Sequence, residues 1–263
     1  MSLSIQKASI WKRISAWLFD FILAACIAMG FAFALSAIVG FDAQAEKLET
    51  YYTQFEEEYG VDFDISQEDY DKLTDAEKEN YLAASNAFHK NESVRALSDS
   101  LFKKTLLILT LAIFLCDLIW FFIIPLFFQN GQTLGKKIFG IAVMRTNCVK
   151  ATNPVLFIRA IVGQFAIETM FPVLMLVMIF FNAMGIVGIV TIGLLLLLQL
   201  IVVCTTQTNS TIHDLLTDTV VIDFASQNIF ETEEEFIAYK TKLHAQAVAQ
   251  AENVDKSETR INE

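Results

Sequence analysis

The sequence is poor in the residues that punctuate or unfold a chain. Three prolines and ten glycines in 263 positions are too few for a disordered or collagen-like polymer. It is also poor in charge: Asp, Glu, Lys and Arg make up 19%, where a soluble domain carries about 25%. Thirty acidic residues outnumber nineteen basic ones, for a formal net charge of −11. That balance argues against nucleic acid as a partner, since a phosphate backbone calls for clustered Lys and Arg. Cys26, Cys116 and Cys204 fall within or at the ends of apolar runs and Cys148 in a basic loop, so no disulfide framework is implied. His89, His213 and His244 are scattered, with no HExxH or Cys–His spacing, and no GxSxG nucleophile motif occurs. Neither an enzyme built on a metal or a nucleophile nor a bound cofactor is expected.

What the chain does have is apolar length. Hydrophobic residues make up 54%, and 23 Phe stand against six Tyr and three Trp, rings suited to hydrocarbon. A membrane-spanning helix needs about 20 mostly apolar residues. Ile14–Gly40, Thr105–Phe128, Val155–Phe181 and Gly185–Cys204 each qualify, the last two joined tightly at Asn182–Met184. The first run exceeds the roughly 7–15 residues of a signal-peptide core and reads as a retained helix. The expected fold is therefore all-α: a polytopic membrane protein with four transmembrane helices, its bilayer contacts made by their apolar faces.

Positive residues flanking the spans set orientation. Lys7, Lys12 and Arg13 precede the first span with no acid among them. The 129–154 loop carries Lys136, Lys137, Arg145 and Lys150, again without acid, whereas 41–104 holds seven basic and sixteen acidic residues. This places both termini and the basic loop in the cytoplasm and the acidic segment outside. The organisation is then 1–40 (N-terminus and first span), 41–104 (outer cap), 105–128 (second span), 129–154 (basic loop), 155–204 (hairpin of two spans) and 205–263 (His-Asp segment and tail).

The outer segment carries helical signals. Tyr51, Phe55 and Tyr59 recur every four residues, one face of a helix. Ser66–Asp69 and Thr74–Glu77 look like helix starts, the second a capping box. Asp62, Asp64 and Ser66 resemble the opening of a calcium loop, but Gln67 replaces its Gly and Leu73 its bidentate Glu, leaving a solvated acidic face. In the tail, Thr232–Glu235 opens a helix with a modest stripe of Phe236, Tyr239 and Leu243. Its acidity suits a protein partner or water better than anionic lipid.

Four charged residues interrupt the spans, each costing roughly 2.5–3.5 kcal/mol on insertion scales. By helical rise, Asp20 lies about 9 Å and Arg159 about 6 Å from the cytoplasmic side, and Asp117 and Glu168 about 16 Å and 20 Å. Depth pairs Asp20 with Arg159. At the midplane, Asp117 and Glu168 either share a proton or hold a small cation, or one is protonated and bonded to a neighbouring helix. Gly131 to Lys137 superficially resembles a phosphate-binding loop. The spacing is one residue short, and Lys137 stands where Ser or Thr would hold magnesium.

Three stretches in order resemble the RDD family of bacterial membrane proteins. Arg13 and Asp20 match its opening. Gly131, Thr133, Gly135, Lys136, Gly140 and Val143 match a G-x-T-x-G-K-x-x-x-G-x-x-V segment. His213, Asp214, Thr219 and Val221 match a terminal H-D-x-x-x-x-T-x-V. By resemblance Arg13 and Asp20 carry the first two letters of the name, and Asp214 the third, with Asp117 as rival. Asp214 then either closes an ion-pair network with Arg13 or Arg159, or merely caps a short helix together with His213. The resemblance implies a bacterial cell membrane and transport of a small solute, sodium–proton exchange being attributed to some members. Asp117, Glu168 and Asp20 become the ion- and proton-binding candidates, for a monovalent cation and a proton. Four spans hardly enclose a pathway, so a homo-oligomer or a larger membrane protein partner is expected. The competing reading is a non-catalytic accessory subunit docking through the acidic cap and tail.

Overall fold

The computed structural model describes residues 5–128, 130–181 and 184–261, with side chains up to Gln250. It is mostly helical, and four helices are long and apolar enough to cross a membrane: Ile10–Val39, Glu92–Phe127, Asn153–Phe180 and Gly185–Thr205. The expected turn at Asn182–Met184 lies outside the described residues at Asn182 and Ala183. The chain divides into two compact units, Ile27–Ile113 and the combination of Met1–Cys26 with Phe114–Glu263.

The acidic unit takes the C-terminal part of α1 (Ile10–Val39), then α2 (Phe41–Tyr59), α3 (Gln67–Lys72), α4 (Asp75–Lys90) and much of α5 (Glu92–Asp117). Local chemistry fixes its boundaries. The Ser66 hydroxyl accepts the Asp69 N–H at the start of α3. A reciprocal capping box between Thr74 and Glu77 opens α4, satisfying two donors that a helix start leaves orphaned. The core of the unit is aromatic. Phe88, almost wholly buried, meets Tyr52, Phe55 and Phe63 with ring centroids 4.4, 5.5 and 5.7 Å away.

The second unit adds a two-stranded antiparallel sheet to the all-helical expectation. β1 (Ile141–Arg145) pairs with β2 (Thr219–Asp223), Val143 opposite Val221. Alternate residues of a strand point to opposite faces, and both faces here are buried. Ala142, Met144, Val220 and Ile222 pack with Phe230 on one side. Ile141, Val143 and Val221 pack with Ala8 and Ala16 on the other. The sheet thus ties the basic loop to the segment after the fourth span.

Two stretches in this unit are π-wound, Leu118–Ile123 and Arg159–Met170. Each runs directly into a proline-containing turn: Ile124 N–H reaches Ile119 O before Pro125, and Phe171 N–H reaches Ala166 O before Pro172. A proline ring clashes with the carbonyl four residues back, and winding with i→i+5 bonds moves that carbonyl aside. The remaining elements are α6 (Ile124–Phe127), α7 (Leu134–Ile138), α8 (Asn153–Ile158), α9 (Phe171–Phe180), α10 (Gly185–Thr205), α11 (Ile212–Leu216) and α12 (Glu233–Ile261).

Candidate functional site

The charged letters of the spans gather in the second unit, but not in the pairs that depth implied. Asp20, 2% exposed, meets neutral donors. Its Oδ1 accepts the Trp120 indole N–H at 3.1 Å and the Gly135 N–H at 2.8 Å, and its Oδ2 accepts the Thr133 hydroxyl. Thr133 also caps α7, accepting the Lys136 N–H at 3.3 Å. Gly135 is required here by space. A Cβ at that position would stand 2.4 Å from Ala16 O and 2.9 Å from the Asp20 carboxylate. The Gly-Lys loop is therefore a clasp on α1.

The Asp20–Arg159 pairing is corrected by this geometry. Arg159 instead contacts Asp214, Nη2 to Oδ1 at 2.7 Å, and donates to the Thr219 hydroxyl at 3.3 Å. Arg13 donates to Asp214 Oδ2 at 2.8 Å and to Thr208 O at 3.1 Å. Asp214, wholly buried, thus bridges two guanidiniums from two spans. It also caps α11, accepting the Thr211 N–H and hydroxyl at 3.1 and 3.0 Å. Network and cap are one arrangement rather than alternatives. Burial alone would raise the Asp214 carboxyl, but Arg159, His213 and Arg13 outweigh it and hold it well below the usual carboxylate range.

Asp117 and Glu168 likewise have separate partners. Glu168 accepts the His213 backbone N–H at 3.1 Å and contacts His213 Nδ1 at 2.6 Å. Asp117 meets the Thr169 hydroxyl, and its Oδ2, buried, has no hydrogen-bond partner among the described residues. The expectation of a shared proton or cation between the two is replaced by a carboxylate–imidazole pair and a separate, half-satisfied carboxyl.

Winding explains the regrouping. Nine positions apart, Arg159 and Glu168 would sit about 180° apart on an α-helix of about 3.6 residues per turn. With i→i+5 bonds, roughly 4.4 residues per turn, nine positions make about two turns and both side chains share a face. That face receives α11, Arg159 taking Asp214 and Glu168 taking His213. Gly163, between them, leaves room for the contact: a Cβ there would stand 2.4 Å from His213 Cβ.

Beside this cluster lies a small cavity of about 20 Å³ whose wall includes Lys136, Arg159, Gln164 and His213. Lys136, at the clasp, is pushed down to about 7, by burial first and by Arg159 second. Gly131 and Gly140 turn the loop at either end with φ of 60° and 63°. Trp120 and Gly163 escaped the sequence reading, since nothing in an apolar span marks which aromatic or small residue meets a charge. In the sequence His213 stands as a family-motif and helix-cap residue, and its pairing with Glu168 is not marked there. Among the described residues no group of three or more His, Cys, Asp or Glu side chains is arranged to hold a metal ion.

The model of the RDD family matches residues 7–218 of the chain, an interval that contains Arg13, Asp20, Asp117, Arg159, Glu168, His213 and Asp214 and stops one residue before Thr219. No curated protein and no solved structure matches it.

Proposed function

Because the chain belongs to the RDD family, we propose that it is a non-enzymatic membrane transporter that exchanges a monovalent cation for a proton. The observation that carries this reading is the Glu168–His213 pair, 2.6 Å apart, joining a carboxylate within a span to an imidazole on α11. An imidazole nitrogen can hold or give up a proton beside a carboxylate. With His213 protonated, Glu168 has its counter-charge. With His213 neutral, the carboxylate calls for another cation, since an unpaired charge in a bilayer is costly. Asp117, with one oxygen open, is the second binding group. Asp20 and Asp214 hold the frame. In this reading the protein sits in a bacterial cell membrane with both termini cytoplasmic, as the basic flanks favour. It works as a homo-oligomer or with a larger membrane protein, because four spans hardly enclose a pathway.

The test is reconstitution in liposomes containing a pH-sensitive dye, followed by an imposed sodium gradient. Wild type moves protons, Glu168→Gln falls to the vesicle background and Asp117→Asn is impaired. A flat trace from folded wild-type protein overturns the exchange reading. A second reading, an accessory subunit of a larger membrane complex, rests on α12. This helix begins Glu233-Glu234-Glu235, and its side chains up to Gln250 are largely exposed. Phe236 and Tyr239 seat it on Phe230. Co-purification of a membrane partner that is lost when α12 is removed supports it.

A further inference from the structure

Lys136 is unusual among the charges of this cluster. Arg13, Arg159, Asp214 and Glu168 each have an opposite or titratable partner within 3 Å, and Asp20 has three donors. The Lys136 ammonium has no hydrogen bond or ion pair among the described residues. It lines the small cavity, and so does Gln164. The rest of the wall brings Arg159 and His213 alongside the apolar Phe121 and Leu156. Among the described residues no carboxylate lines this space. Lysine and arginine offer only donors, and the glutamine amide adds two N–H donors beside its one carbonyl acceptor.

We propose that this cavity binds a single monatomic anion of the chloride class, held by Lys136 and Gln164 with Arg159 and His213 behind them. Its volume, about 20 Å³, exceeds the roughly 10–15 Å³ that one water-sized particle needs. That is enough for one small ion and too little for a phosphate or a carboxylate ligand. A metal cation is disfavoured by Lys136 and Arg159. A water gains little from a wall whose charged members donate and do not accept. The anion also gives Lys136 a direct counter-charge in addition to the non-contacting Asp20 and Asp214 carboxylates, and separates it electrostatically from Arg159.

Charge on Lys136 tunes the site. The groups acting on it are Arg13 and Asp20 from α1, Arg159 from the π-wound stretch, and Asp214 from α11, with His213 sharing the cavity wall. Burial and Arg159 bring Lys136 to about 7, so the anion is held at pH 6 and released towards pH 9.

The experiment uses the full chain in detergent or nanodiscs, with no sodium gradient, so its outcome is separate from that of the exchange assay. Chloride NMR line broadening is measured in sodium chloride and competed with bromide, against gluconate at equal ionic strength. Wild type broadens the line at pH 6, bromide reverses this, and the effect fades by pH 9. Lys136→Met abolishes the broadening. Lys137→Met retains it, since Lys137 stands over the Phe128 ring and does not line the cavity. Equal broadening by Lys136→Met, or none by monodisperse wild type, overturns the site. Should Lys136→Met fail to fold, Gln164→Leu decides: reduced broadening supports the proposal and unchanged broadening overturns it.

Discussion

The two units use the same side chain, a carboxylate, in opposite ways. In the acidic unit carboxylates stay in water and bond close by: Asp69 with Lys72 at 2.8 Å, and Glu77 with Thr74 at 2.7 Å, each three positions away. In the other unit the carboxylates of the charged cluster are largely buried and reach across the chain, Glu168 to His213 over 45 positions and Arg13 to Asp214 over 201. Water screens a charge cheaply, so the exposed acids decorate helices that would form around Phe88 in any case. Hydrocarbon does not, so a buried acid dictates which distant segments must meet.

Replacing the central acid tests that contrast most severely. Asp214→Asn leaves Arg13 and Arg159 buried without their counter-charge, and removing one partner of a buried ionic group costs about 3–5 kcal/mol. The thermal unfolding midpoint in nanodiscs should fall sharply. The deficit depends on pH with a definite sign. Asp214 titrates below its ordinary range when folded, so its stabilisation is present above the unfolded value of about 4 and fades as pH falls towards the folded one. An unchanged midpoint at neutral pH would erase the distinction between the two units.

Glycine sharpens it at intermediate size. Gly135→Ala drives a Cβ into Ala16 O, and such overpacking costs about 1–3 kcal/mol. Gly30→Ala, in the α1 portion of the acidic unit, meets nothing within 4 Å and should stabilise its helix by about 0.5–1 kcal/mol. Opposite signs in paired unfolding curves are the expected result, and equal signs would contradict the clasp.

The smallest effect belongs to the acidic unit. Thr74→Ala removes the cap of α4, worth about 0.5–2 kcal/mol. Hydrogen exchange should quicken through α4 and leave β1 and β2 unaltered. Spread of that effect to the strands would mean the exposed caps are as far-reaching as the buried acids.

The same division governs how much could be read from sequence. The four spans, the Thr74–Glu77 box and the Ser66 start are encoded by composition or by neighbours three or four positions apart, and they stand in the structure where the sequence puts them. Arg13 and Asp214 were reached through motif resemblance. Depth along the spans pairs Asp20 with Arg159, whereas an indole, a hydroxyl and a backbone N–H satisfy it. Glu168 was assigned to Asp117 by depth along α-helices. The π-winding that turns it towards α11 arises where Pro172 meets the packing of the bundle, and α-helical spacing cannot reveal it. The sheet was hidden because Ile141–Met144 and Thr219–Ile222 are short apolar runs inside what reads as loop, without the alternation of a one-sided strand.

The bridge between Arg13 and Asp214 also sets an order of events during synthesis. The guanidinium is made first, and its carboxylate follows 201 residues later. At about 5–20 residues per second that is a wait of roughly 10–40 s. Asp20 waits for Trp120, Thr133 and Gly135, over 100 to 115 positions. The first span therefore enters the bilayer carrying charges whose partners do not yet exist. The short segment after the fourth span, which supplies His213 and Asp214, completes the buried network and acts as a late checkpoint: a chain stopped at Thr205 would possess all four spans and still be unable to close.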